Sequence, residues 1–323
     1  MAGATNPPAE AKASLDLAEE RVILPVLAQL CPASWQGLRR LSRTLCRALS
    51  DQLLHAALVQ LPVLPAGEGL CRKLSGLADG AVVVLAKGRH RWSGKLTHTR
   101  RLRVFGVPGA VIVGRVALAA GSSGSFYDVG FVSTDGGAIR IQAAAWSLYR
   151  CSIACTDSDA SALTLVSSEM VMHQCNVNTE VLRKACWVGL LVRGSAHAKL
   201  TDTQVGPYVQ RGVVAVNEAE CTMLGCRIDG CEEIGLRLDG SARVLLKDTY
   251  LSGAGVALQG SDASSTSGHL ELRNCRITSF SSLWGGYYRP QHLVMMDNVI
   301  EDVGDVYGAP RCCEQDSEEV DER

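Results

Sequence analysis

Aromatic side chains are scarce: Phe, Trp and Tyr make up only 5% of the 323 residues. Rings supply much of the buried area of an ordinary core, so this one must be filled by aliphatic and small side chains instead. Neither sign of charge is in excess, with 32 Lys+Arg against 33 Asp+Glu, and that balance excludes nucleic-acid binding through bulk charge. No run of about 18 apolar residues occurs, so no membrane-spanning helix is expected. The first twenty residues, MAGATNPPAEAKASLDLAEE, lack an apolar segment behind a basic start, and their Asp and Glu argue against a transit peptide. A disulfide framework is missing as well: the 13 cysteines are odd in number and mostly irregular in spacing. That usage points to a reducing compartment, cytoplasmic or nuclear.

Small and aliphatic residues are plentiful, at 47% hydrophobic with 32 glycines, which suits a core stacked from many small units. The chain changes character twice. After a polar stretch over 1–14 that is expected to be disordered, residues 15–62 place apolar side chains at helical spacing: Val22, Ile23, Val26, Leu27 and Leu30, then Leu38, Leu41, Leu45, Leu49 and Leu53. Arg39, Arg40, Arg43 and Arg47 fall between the members of the second series, giving an amphipathic helix with a basic outer face. Residues 63–76 read as a linker. From 77 to 308 the pattern is short and β-like, with runs such as AVVVLA, AIRIQA, ALTLVS and GLRLDG bounded by Gly, Ser, Asp or Asn. No helix long enough for a βαβ crossover intervenes. Residues 309–323, acidic and polar, are expected to be a disordered tail.

An internal repeat carries the clearest signal. A polar or small residue, then Cys, Thr or Asn, then any residue, then an aliphatic recurs as YRCSI, HQCNV, TDTQV, LGCRI, KDTYL, RNCRI and MDNVI. The central residues Cys151, Cys175, Thr203, Cys226, Thr249, Cys275 and Asn298 are separated by 24, 28, 23, 23, 26 and 23 residues. An aliphatic pair at i and i+2 precedes each of the first copies: Ile139/Ile141, Leu163/Leu165, Leu190/Val192, Val214/Val216, Leu236/Leu238 and Val256/Leu258. This period, with two or three short strands per repeat, fits one turn of a right-handed parallel β-helix of about eight or nine coils. Such a coil hydrogen-bonds only to the coils above and below, so like residues stack into ladders. The recurring Cys, Thr or Asn is then an inward ladder position, because a small thiol buries readily and a buried Thr or Asn can bond its neighbours.

The segment LADGAVVVLAKGRHRWSGKLTHTRRLRVFGVPGAVIVG resembles the opening coil of pectin-lyase-like β-helix proteins, through Gly80, Val82, Val84, Gly88, Leu96, Leu102, Val104 and Gly106. Asp79 and Gly80 stand in the reverse of the family's order. The resemblance concerns fold and names no activity. The segment LCPASWQGLRRLSRTLCRALSD resembles an F-box through Leu30, Pro32, Leu38, Leu41, Ser42, Leu45, Cys46, Arg47 and Leu49. That likeness implies binding of a Skp-type adaptor of a cullin ubiquitin ligase through Leu30, Pro32, Leu38, Leu41, Leu45 and Leu49, with the β-helix selecting a target protein. The plainer alternative is a helical cap that shields the open edge strands of the first coil.

Between the aliphatic pairs, the outward residues give a candidate ligand face of Arg140, Gln142, Arg193, Asn217, Arg237, Asp239 and Gln259. An extended peptide or glycan would lie along it; a simply solvated sheet face is the alternative. A carbohydrate-cleaving β-helix would need clustered carboxylates, and the one close pair in the repeats, Asp157/Asp159 in CTDSDAS, has the composition of a turn. Cys221, Cys226 and Cys231 follow C-x4-C-x4-C, which is not a zinc spacing. No metal, cofactor or catalytic residue is expected. The reading is a recognition scaffold, with a polysaccharide lyase or hydrolase, or a purely structural β-helix, as its rivals.

Overall fold

The computed structural model describes residues 63–98, 101–178, 185–260, 268–285 and 292–304. They form a parallel β-solenoid of about nine turns with three faces. Sheet I has eleven strands, running from Val63–Leu64 and Val82–Leu85 through to His292–Met296. Sheet II has ten, from Gly88–Arg91 to Val299–Glu301, and sheet III nine, from Lys95–Leu96 to Ser282–Gly285. Within each turn the chain passes from sheet I to II to III, and each strand pairs in parallel with its counterparts one turn before and after. A parallel crossover winds right-handed because twisted strands pack back onto their own sheet only with that hand.

The corner between sheets I and II explains the repeat. The residue that turns it is in the left-handed region at Asp128, Arg150, Gln174, Asp202, Gly225, Asp248, Asn274 and Asp297, with φ between 49° and 61°. Gly, Asp and Asn tolerate that conformation, and they hold six of the eight places. Arg150 is one of the two exceptions, and its guanidinium is clamped on the Asp128 carboxylate of the previous turn at 2.8 and 2.7 Å. At six of the eight corners the side chain of the next residue donates back to the carbonyl two positions earlier. Thr203 Oγ1 reaches Thr201 O at 3.0 Å and Thr249 Oγ1 reaches Lys247 O at 2.9 Å. Cys151, Cys175, Cys226 and Cys275 do the same through Sγ at 3.4 to 3.5 Å. Cys and Thr therefore alternate because each is a small side chain with one proton to donate. Asn298, on the last coil and only half-buried, instead bonds downward: its Oδ1 accepts from Cys275 N at 2.8 Å and its Nδ2 donates to Leu272 O at 3.0 Å.

Two further rows of small residues set the other corners. Ser122, Ala144, Ser168, Ala196, Ala219 and Ala242 lead into sheet I, each buried where its carbonyl receives the next turn's backbone N–H. Ala138, Ala162, Gly189, Gly212, Gly235 and Ala257 lead into sheet III. A Cβ on Gly212 would meet Ile228 Cγ2 at 2.5 Å and Cys231 Sγ at 2.9 Å, so sheet II approaches too closely there for any side chain. The few core rings gather in the early turns, where Phe126 stacks on Trp146 at 5.1 Å and meets Phe131 edge-on at 5.2 Å. Trp284 is buried in the last complete turn, above Leu258. Tyr287 and Tyr288 fall outside the described residues.

The solenoid starts earlier than the sequence suggests. Residues 63–76 are not a linker: Val63–Leu64 is the first strand of sheet I, and helix α1, Leu70–Ser75, buries Leu70, Cys71 and Leu74 against the strand Lys95–Leu96. The apolar spacing of Leu70 and Leu74 is one helical turn, a signal masked in the sequence by the Pro and Gly residues just before it. Helices expected over 15–62, the stretch 1–14 and the tail over 309–323 lie outside the described residues.

If the corner hydroxyl or thiol satisfies the carbonyl two places back, Thr203→Cys should cost little. Thr203→Val, which keeps the shape and deletes the donor, should destabilise by about 1–3 kcal/mol. Urea unfolding of the two variants decides this, and equal midpoints would refute it.

Candidate recognition face

Sheet III carries the predicted ligand residues, but in a different register. Arg140, Thr164, Leu191, Val214, Arg237 and Gln259 stand on successive turns in one outward row. Gln142, Val166, Arg193, Val216 and Asp239 form the next. Two placements are therefore corrected. In VVAV the inward pair is Val213 and Ala215, both fully buried, so Val214 and Val216 face outward and Asn217 lies past the strand, in the left-handed corner at φ 65°. In GVALQG the strand begins one step early, Leu258 aligns with Leu236, and Gln259 joins Arg237 rather than Asp239. The first slip, of one residue, arises because both faces of VVAV are apolar and alternation cannot say which is inward; the second, of two residues, leaves Gln259 on the outward face and changes only the row it joins.

The face thus has an apolar middle, Leu191, Val166, Val214 and Val216, between two polar ends. Arg140 Nη2 donates to Gln142 Oε1 at 3.4 Å at one end, and Arg237 Nε donates to Asp239 Oδ2 at 2.9 Å at the other. Arg193 stands between them. Three polar atoms on this face, Arg193 Nε, Asp239 Oδ1 and Gln259 Oε1, are buried with no hydrogen-bond partner. One is a donor and two are acceptors, and such atoms cost about 1–3 kcal/mol each when left unpaired.

A second group borders the same face and was missed from sequence. Trp187, 40% exposed, lies under the Arg211 guanidinium at 5.2 Å, and Arg211 Nε donates to Glu233 Oε2 at 3.1 Å. These residues precede the small-residue row by one or two places, in WVG, RG and EIG. Aligning the repeats on Gly189, Gly212 and Gly235, instead of on the aliphatic pairs, would have brought them together.

The other candidates settle into structural roles. Asp157 Oδ1 accepts from the Asp159 backbone N–H at 3.0 Å and Ser158 Oγ donates to Asp159 Oδ1 at 3.3 Å, which ties that acidic pair into a local turn. His90, from the basic first coil, is buried and bonds the Ala86 carbonyl through Nε2 at 2.8 Å. The nine described cysteines are all free and buried. Among the described residues no group of three or more His, Cys, Asp or Glu is placed to hold a metal ion, and no helix is long and apolar enough to cross a membrane. The F-box-like residues Leu30, Pro32, Leu38, Leu41, Leu45 and Leu49 fall outside the described residues.

No family model matches the chain, and no curated protein matches it. Among solved structures it is similar to ORF18 of Geobacillus virus E2, at 10% identity over 79% of this chain and 64% of that one, with a TM-score of 0.46. It thus spans just under two thirds of that protein. It is also similar to pectate lyase Pel9A, at 8% identity over 71% and 74% of the two chains, and to PfbA, a surface adhesin of Streptococcus pneumoniae, at 8% over 72% and 85%. Both have a TM-score of 0.42. At this level of identity no residue role or activity transfers.

Burial pushes the thiols of Cys221 and Cys231 up to about 12 and that of Cys226 up to about 11. Raised thiols favour the folded chain while they stay protonated; their contribution is complete below the ordinary value of 9.0 and is lost as pH climbs toward about 12. At pH 8 these three cysteines should react with iodoacetamide at least about a hundredfold more slowly in the native chain than in urea. Peptide mass spectrometry of the labelled sites checks this, and equal native and unfolded rates would refute it.

Proposed function

We propose that this chain is a recognition scaffold that binds an extended peptide segment of a target protein along the outward face of sheet III. The observation that carries the reading is the set of three buried, unpartnered polar atoms, Arg193 Nε, Asp239 Oδ1 and Gln259 Oε1, on one face. Arg193, Asp239 and Gln259 are only half-buried as residues, and when their side chains turn outward a peptide backbone offers carbonyls to the arginine and N–H groups to the two acceptors, so binding would remove a cost the free protein bears. The half-buried Leu191, Val166 and Val216 between the polar ends supply apolar contact for side chains of such a ligand. A glycan-cleaving reading has less support, because the acidic pair that suggested it, Asp157 and Asp159, is occupied in its own turn.

The test is selection of binders from a random twelve-residue peptide library with the full chain, followed by affinity measurement on the double variant Arg193→Ala/Asp239→Ala. Peptides selected by the parent chain should bind the variant about tenfold or more weakly, since each lost hydrogen bond to a charged group is worth about 1.5–3 kcal/mol. Unchanged affinity would remove sheet III from the reading, and failure to select any peptide would overturn the ligand class.

The F-box-like segment extends this proposal: binding of a Skp-type adaptor through Leu30, Pro32, Leu38, Leu41, Leu45 and Leu49 would make the chain the substrate-binding subunit of a cullin-type ubiquitin ligase. Helix α1 supports that division of labour, since it already closes the N-terminal end of the core and leaves capping as a weaker role for residues 15–62. Pull-down of adaptor by the full chain, with Leu41→Asp/Leu45→Asp as control, should show retention that the variant abolishes. No retention by the parent chain at micromolar concentration would end the ubiquitin-ligase reading while leaving the sheet III proposal standing.

A further inference from the structure

One outward row of sheet III alternates with a period of two turns. Gln142, Val166, Arg193, Val216 and Asp239 follow one another in register along the solenoid axis, polar and valine by turns. Neighbouring turns lie about 4.8 Å apart, so the polar residues recur every ~9.6 Å and each valine stands midway between two of them. Winding the coil does not demand this, since the adjacent outward row, from Arg140 to Gln259, shows no such alternation. Arg193 Nε and Asp239 Oδ1, two of the buried atoms without a partner, occupy consecutive polar places in the row.

We propose that the peptide bound on sheet III lies along the solenoid axis in the polyproline II conformation, and so comes from a proline-rich segment of the target protein. This rests on the peptide-binding reading of sheet III and adds the conformation and composition of the ligand. A polyproline II chain has three residues per turn and rises about 3.1 Å per residue, so each kind of backbone group returns to the same side every ~9.3 Å. That repeat falls about 0.3 Å short of two solenoid turns, and from Gln142 to Asp239 the error grows only to about 0.6 Å. An extended strand repeats every ~6.6 Å. Set in phase on Gln142, it would miss Arg193 by about 3 Å. An α-helix, with a pitch of about 5.4 Å, drifts by about 1.2 Å over the same two turns and keeps its backbone groups for itself. Polyproline II makes no internal hydrogen bonds, which leaves its carbonyls open to Arg193 and its N–H groups open to Asp239. The face of a sheet, unlike its edge, can reach a ligand backbone only through side chains in this way. Proline rings passing over the half-buried Val166 and Val216 would supply apolar contact and hold the ligand backbone in shape before it binds. The residue opposite Asp239 must keep its N–H, so about one position in three is not proline.

The test offers the full chain two immobilised twelve-residue peptide libraries, one of Xaa-Pro-Pro repeats that favour polyproline II and one of Val-Xaa repeats that favour a strand. Members selected from the first library should bind at least about tenfold more tightly than any from the second. Val216→Lys, which sets a charge in the middle of the row and leaves the inward side untouched, should weaken those members about tenfold or more. Val166→Lys takes its place if thermal melting shows that Val216→Lys has lost the fold. Binders from the Val-Xaa library of equal or higher affinity would overturn the polyproline II proposal while keeping the peptide reading. Proline peptides that neither lysine variant weakens would lie elsewhere and overturn it as well, and no binder from either library would end both readings.

Discussion

Backbone hydrogen bonding between successive turns governs everything else in this molecule. No turn can satisfy its own N–H and C=O groups, so each is held in register by the next, from Gly67 N bonding Arg89 O near one end to Val299 N bonding Cys275 O near the other. Register held at every turn means that an inward side chain always meets the same position one turn away. Size then becomes a property of a whole ladder. Where sheets II and III approach, the row Ala138, Ala162, Gly189, Gly212, Gly235 and Ala257 stays small throughout, and where the chain enters sheet I the row Ser122 to Ala242 does so again. The scarcity of rings and the abundance of glycine are consequences of those rows.

The same constraint explains what could be read from sequence and what could not. The Cys/Thr ladder was legible because the chemistry is strict: a left-handed corner residue followed by a compact donor, as in Asp202-Thr203 or Asp248-Thr249. The coil period followed from it. Strand register was less legible wherever a strand is apolar on both faces. In VVAV nothing in the alternation separates Val213 from Val214, and the deciding information sits one residue earlier, at Gly212, whose lack of a side chain marks the small row. Asn217 looked like a surface residue of the strand and is a corner residue. Its type, tolerant of the left-handed region, was the better guide than its distance from Val216. Trp187, Arg211 and Glu233 escaped because their grouping exists only across turns, at a position the aliphatic pairs do not index.

Inward positions are fixed by their neighbours, so selection for binding can act freely only on outward ones. Two outward surfaces depart from a generic solvated strand, and they do so in opposite ways. Sheet III groups polar atoms without partners on Arg193, Asp239 and Gln259, whereas Ser133 Oγ on sheet II is a lone case and the corner chemistry supplies partners even for thiols. Sheet I keeps rings in register, Phe105, Tyr127 and Tyr149, in a molecule that uses few rings anywhere. An unpaired polar surface favours an exchangeable partner that brings hydrogen bonds with it.

The two ends of the solenoid differ in a way that bears on the rest of the chain. At the start, helix α1 lays Leu70, Cys71 and Leu74 over the first complete turn, and among the described residues the strand Val63–Leu64 is the edge beyond it on sheet I. At the finish there is no helix among the described residues. Asn298 ties the final corner down to Cys275 and Leu272, while Met296, Val299 and Ile300 remain exposed on the last strands. Among the described residues, apolar side chains and strand edges are therefore open at the finish, whereas six residues close the start. The leucine-rich segment is nonetheless encoded next to the closed end.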